Sequence, residues 1–126
     1  MRRVVLDAVA LLSWFEPDGA HRALRAEYEA GTLALIGPRH LVADVLGAVA
    51  SRTGVSADRL ARVGAELHRL GLQLHDPPMV ELAPWLAKGL PAHRAAYPAL
   101  AASLEVPLVT DDPELRRVAA GLLQPD

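Results

Sequence analysis

With 126 residues, 52% of them apolar and 22% charged, the chain has enough oily surface for one hydrophobic core, too little length for two and too little charge for intrinsic disorder. Thirteen Lys and Arg against fifteen Asp and Glu give a formal net charge of −2, so no global basic field announces nucleic acid, although a local basic patch is compatible with that total. The absence of Cys excludes a disulfide framework, a thiolate nucleophile and cysteine-based zinc or iron–sulfur sites, while 23 Ala and 22 Leu tilt the chain toward helix.

In chain order, Val4-Val5-Leu6 is a β-branched run that ends in Asp7, and Ala8 to Phe15 stays apolar until Pro17-Asp18-Gly19 breaks it. Ala20 to Ala30 carries Leu24 and Tyr28 at helical spacing, with Gly31 as the stop. Thr32 to Ile36 reads as a strand closed by Gly37-Pro38, and Arg39 to Arg52 as a buried helix that ends at Thr53-Gly54. Ser56 is the expected N-cap of a helix reaching Gly71, and Leu72 to His75 alternates like a strand. Between Pro77-Pro78 and Gly89-Leu90-Pro91 lies a helix, Val80 to Lys88, in which Pro84 sits near the start or makes a kink. His93 to Leu104 is a further helix, irregular at Pro98, and Val106 to Thr110 is a strand. Asp111 or Asp112 caps a last helix, with Pro113 near its first position. Strands alternating with helices predict a single α/β domain over residues 1–126, a three-layer α/β/α sandwich around a mostly parallel sheet.

Asp7, Asp44, Glu66 or Glu81 cut the apolar stretches before the roughly 20 residues a membrane crossing needs. After Met1-Arg2-Arg3, Asp7 and Trp14-Phe15-Glu16-Pro17 break the pattern of a signal peptide. The chain reads as cytoplasmic, with no membrane partner.

Ligands of parallel α/β folds collect beyond the carboxyl ends of the strands, so acids that directly follow strands are the first candidates. Asp7 follows Val4-Val5-Leu6, and Asp111 and Asp112 follow Leu108-Val109-Thr110; singly, each is an ordinary helix N-cap. Asp44 differs, because Asp is a poor mid-helix residue. Apart from Leu41, its neighbours on the same helical face are small or polar: His40, Gly47, Ala48 and Ser51. It belongs either to an exposed stripe or to a cleft. Carboxylates that converge in a cleft repel one another unless a cation neutralises them or one takes up a proton. Oxygen ligands without Cys suit Mg²⁺ or Mn²⁺, and such an ion activates water and stabilises the leaving oxygen at a phosphodiester.

Three stretches carry a resemblance: Val4 to Leu12, Leu41 to Val49, and above all Ala95-Ala96-Tyr97-Pro98-Ala99-Leu100-Ala101 followed by Glu105 to Asp112. Together they resemble the PIN-domain ribonucleases, and within them the small VapC-type toxins of toxin–antitoxin pairs, over almost the whole chain. The resemblance implies a metal-dependent endoribonuclease that hydrolyses RNA phosphodiester bonds, with Mg²⁺ or Mn²⁺ as cofactor. Asp7, Asp44 and Asp112 would be its metal-binding and water-activating acids, Asp44 standing for the family's usual Glu. Thr110 would be the adjacent hydroxyl and Glu114 an accessory acid. It further implies a homodimer, an RNA substrate and a VapB-type antitoxin partner.

One position departs from the family. Where its third acid belongs, just before Ala95, stands Arg94, with His93 beside it, and Pro98 is expected to rebuild the start of this helix. A guanidinium cannot bind a cation but can take its place beside Asp7 or Asp112. Either one ion binds through Asp7, Asp44 and Asp112, or Arg94 neutralises the cluster and the chain is a PIN-fold module that holds RNA or a protein partner without cutting. A phosphoacceptor signalling domain fits poorly, because the early acid pair and a late strand-end Lys are missing. His21, His40, His68, His75 and His93 offer no metal-binding pair by spacing and read as surface or packing residues. Ser13 and Ser51 read as solvent-facing, the scattered arginines mainly as helix surface, and Trp14 and Trp85 as core or subunit-contact residues.

Overall fold

The amino-terminal run pairs on both of its edges. In the computed structural model, which describes residues 1–15, 19–52 and 54–124, β1 (Arg2–Leu6) lies inside a four-stranded sheet ordered β3-β2-β1-β4, where β2 is Leu33–Pro38, β3 is Gln73–His75 and β4 is Leu108–Val109. Every pairing is parallel: Arg2 to Val5 lie opposite Leu33 to Ile36, Val5 and Leu6 opposite Leu108 and Val109, and Ile36 to Pro38 opposite Gln73 to His75. Parallel neighbours require crossover helices that cover the sheet. For that reason Val4, Val5, Leu6, Leu35, Ile36, Leu108 and Val109 are all buried instead of alternating with polar residues.

The crossovers are α1 (Ala8–Ser13) and α2 (Arg22–Glu29), then α3 (Leu41–Ala50) and α4 (Ala57–Arg69), then α5 (Met79–Ala87) and α6 (Ala92–Leu104); α7 (Pro113–Val118) follows β4. This is the α/β/α architecture that the alternation predicts. Among the described residues no helix is long and apolar enough to cross a membrane. The helix starts obey capping chemistry: Asp7 accepts from the Ala10 amide at 2.9 Å, Ser56 from Arg59 at 3.1 Å, and Asp112 from Glu114 at 2.8 Å with Pro113 in the first turn. Gly31 and Gly71 close α2 and α4 at φ 78° and 63°, a backbone region nearly free of cost only for glycine.

Two expectations change. β2 runs on through Gly37 and Pro38, because a proline in the last strand position forfeits at most one ladder bond. α6 also continues through Pro98, with Tyr97 helical. The penalty of about 3 kcal/mol for an interior proline is outweighed by packing, since Ala95 to Ala101 are all buried against the sheet. Pro84 likewise lies inside α5. The breaks expected at Pro17-Asp18 and at Thr53 lie outside the described residues. Trp14 is a core residue, while Trp85 is partly buried with Lys88 over its ring at 4.4 Å.

Gly37 sets the approach of β2 to α3. A Cβ there would overlap the tip of Leu41, which is fully buried, and come within 3.3 Å of that residue's own Cβ. Gly37→Ala is expected to lower stability by about 1–3 kcal/mol. Gly47→Ala, in open space on α3, should raise it by about 0.5–1 kcal/mol. Urea denaturation of the two variants checks both signs.

Candidate functional site

The end of β1 delivers Asp7, the end of β4 delivers Thr110 and Asp112, α3 delivers Asp44, and the first two turns of α6 deliver His93, Arg94 and Tyr97. Asp7, Asp44, His93, Arg94, Tyr97 and Asp112 line one cavity of about 220 Å³. Residues far apart in the chain thus meet where a parallel sheet presents its ligands.

Asp7 is the most confined of these groups. It is only 4% exposed, yet both of its oxygens are engaged: one caps α1 through the Ala10 amide, and the other accepts from the Thr110 hydroxyl. Thr110, itself buried, accepts in turn from the Asp112 amide at 3.0 Å. The hydroxyl therefore ties the two strand-end acids into one network. Burial raises the Asp7 pKa above its ordinary value, against the lowering by the Thr110 and Ala10 hydrogen bonds, and the charges of Asp111 and Asp112 raise it further. The fold holds an acid where a carboxylate is costly, a mark of functional sites.

Asp44 faces the cavity instead of an exposed stripe. Its Oδ2 accepts from the Tyr97 hydroxyl at 2.7 Å, and the His40 Nε2 stands 3.5 Å from the same oxygen while donating to the His93 carbonyl at 2.8 Å. The His40 ring also meets Tyr97 edge to face, with centroids 5.7 Å apart. Burial, the hydrogen bond to Asp44 and the charges of Asp44 and Asp7 all push the Tyr97 pKa upward, so the phenol stays a donor. Read as surface or packing residues in the sequence, His40 and His93 are therefore part of the site, and Tyr97 gains a role that the sequence did not assign. The signal for His40 was its position one helical turn before Asp44. Tyr97→Phe is expected to cost about 1–2 kcal/mol of stability and, by loosening Asp44, to weaken any cation held there about 10–100-fold. Thermal melts and titration calorimetry read the two effects separately.

Arg94 reaches the acids that it was expected to meet on one side only. Its Nε is 3.5 Å from Asp112 Oδ2 and its Nη1 donates to Glu114 Oε1 at 3.1 Å; no pairing with Asp7 is formed. Half-exposed pairs of this kind contribute at most about 1 kcal/mol. Ser13 and Ser51 donate to carbonyls of their own helices, Ala10 and Ala48, and so are not poised for a ligand.

Among the described residues no three His, Asp or Glu side chains are arranged as a ready ligand set for an ion. The donors that remain are oxygens, and Asp7 with Asp44 suits a hard cation that takes one or two carboxylates and completes its shell with water and substrate phosphate. The charge balance agrees, because Asp7, Asp44, Asp112 and Glu114 against Arg94 alone leave the site negative.

No protein-family profile matches the chain, and no curated protein matches it. Among solved structures, the chain is similar to the crystal structure of PAE2754 from Pyrobaculum aerophilum, with a TM-score of 0.66 and 24% identity over 97% of this chain and 88% of that one. At that level of identity the likeness speaks to the fold, an α/β architecture shared along almost the whole length.

Proposed function

We propose that the chain is a PIN-type endoribonuclease that hydrolyses RNA phosphodiester bonds with Mg²⁺ or Mn²⁺. One observation carries this reading: Asp7, Asp44 and Asp112, from three separate elements, line one cavity that remains negative after Arg94 is counted. Asp7 and Asp44 are the residues that would hold the ion. When bound, it supplies a Lewis acid at the phosphodiester and a more acidic water. Tyr97 fixes one oxygen of Asp44, and Thr110 and the Ala10 amide fix the two oxygens of Asp7, which keeps the pair from turning away or taking up a second geometry. Asp112 is positioned by its own cap bonds to α7. Arg94 holds Asp112 through a pair weak enough for a substrate phosphate to compete for its donors. A homodimer and a VapB-type antitoxin partner accompany this reading as proposals.

The Arg94 pair with Asp112 and Glu114 favours a second reading, a PIN-fold module that binds without cutting. Its pocket, negative and without an ion, repels phosphate and suits a cationic group of a protein partner. Incubation of the protein with single-stranded RNA in Mn²⁺, in Mg²⁺ and in EDTA decides between them. The nuclease reading expects cleavage in the metals, none in EDTA and cleavage by Asp7→Asn reduced by about 10²–10³-fold. Cleavage absent from both the wild type and Arg94→Asp would overturn it.

A further inference from the structure

A second and larger cavity, about 420 Å³, shares Thr110 with the acid site but is lined by more cationic than acidic side chains. Arg2 of β1, Arg22 at the start of α2, Arg116 of α7 and the His21 ring line it, against one carboxylate, Glu27. Arg2 holds Glu27 through two contacts of 2.6 Å, so these two charges offset each other within the wall. Just outside, Asp111 is faced by the His21 Nε2 at 2.9 Å. Arg116 donates one Nη1 to the Thr110 carbonyl at 3.1 Å, which fixes the guanidinium, while its other N–H groups have no protein partner among the described residues.

We propose that this cavity binds the phosphate of a nucleotide. Guanidinium groups are planar forks matched to phosphate oxygens and remain charged at any working pH. The volume is that of a small-molecule site, which suits a nucleotide better than a bare ion. Thr110 links the two cavities: its hydroxyl donates to Asp7 and its carbonyl receives Arg116. A phosphate seated on Arg116 would therefore lie one residue away from the acids. If the ribonuclease reading above is right, it is a phosphate of the same RNA strand, and the cavity fixes the register in which that strand crosses Asp7. The phosphate site itself does not require that reading; a free mononucleotide has the same chemistry.

The test is a two-dimensional amide NMR titration of the full chain carrying Asp7→Asn, without divalent metal, using three probes: inorganic phosphate, adenosine 5′-monophosphate and a short oligoribonucleotide with a 5′-hydroxyl. Saturable shifts are expected at Ala23, Leu24, Thr110 and Arg116. Arg116→Gln and Arg22→Gln should each weaken binding about tenfold. Shifts with the mononucleotide and the oligoribonucleotide assign the site to the RNA strand, and shifts with the mononucleotide alone assign it to a free nucleotide. No saturable shift with any probe, or binding unchanged in both Arg variants, overturns the proposal. Metal-dependent RNA cleavage by a wild-type chain that shows no phosphate response would sink this site and leave the ribonuclease reading standing.

Discussion

Asp7→Asn is expected to lower kcat/KM for RNA cleavage by about 10²–10³-fold, the several kcal/mol that a misheld cation withholds from a transition state, while making the protein more stable at neutral pH. The stability part follows from the environment of the carboxyl. Asn caps a helix as well as Asp does and cannot ionise. In the wild type, burial places the folded-state pKa of Asp7 above its ordinary value. The stabilisation this provides is complete below the unfolded-state pKa, about 4, and is lost as the pH rises through the folded-state pKa. The advantage of Asp7→Asn over the wild type should therefore grow from about pH 4 toward neutrality. Urea denaturation in EDTA at a series of pH values measures it. A variant that is inactive and also less stable at every pH would mark Asp7 as a structural cap only.

Arg94→Asp has the second large effect. The substitution frees Asp112 and Glu114 from their guanidinium partner and adds a carboxylate to the cavity wall. Mn²⁺ affinity should rise at least about tenfold and metal-dependent cleavage with it, because one more hard oxygen donor joins Asp7 and Asp44. The same change crowds like charges, so in EDTA the variant should melt below the wild type. Mn²⁺ at about 100 times its Kd should return about 2.7 kcal/mol. A variant whose melting ignores Mn²⁺ would show that Arg94 covers no cation site.

The alternation of β-branched runs with Ala- and Leu-rich periodic segments was enough to read an α/β sheet and its order of elements, because parallel strands are buried on both faces and stand out as apolar runs. Local bookkeeping misjudged the prolines. Pro98 and Pro38 carry penalties legible in sequence, but the tertiary packing that outweighs them is not. The acids were legible because two follow strands directly and the third interrupts a buried helix. Their convergence in one cavity depends on the crossover of three chain segments, which no spacing encodes. The Tyr97 bond to Asp44 and the split of Arg94 between Asp112 and Glu114 join α6 to α3 and to the start of α7, elements that only the fold brings together. The arginine-lined cavity was hidden for another reason: Arg2, Arg22 and Arg116 lie on three elements and only the fold brings them together.

Titration calorimetry of Mn²⁺ into the wild type and Asp7→Asn tests the central claim most directly. A saturable site in the wild type that disappears in Asp7→Asn is the result expected of an ion held by Asp7 and Asp44. No heat in the wild type, with Arg94 still on Asp112, would contradict it and leave the metal-free binding module as the function of this pocket.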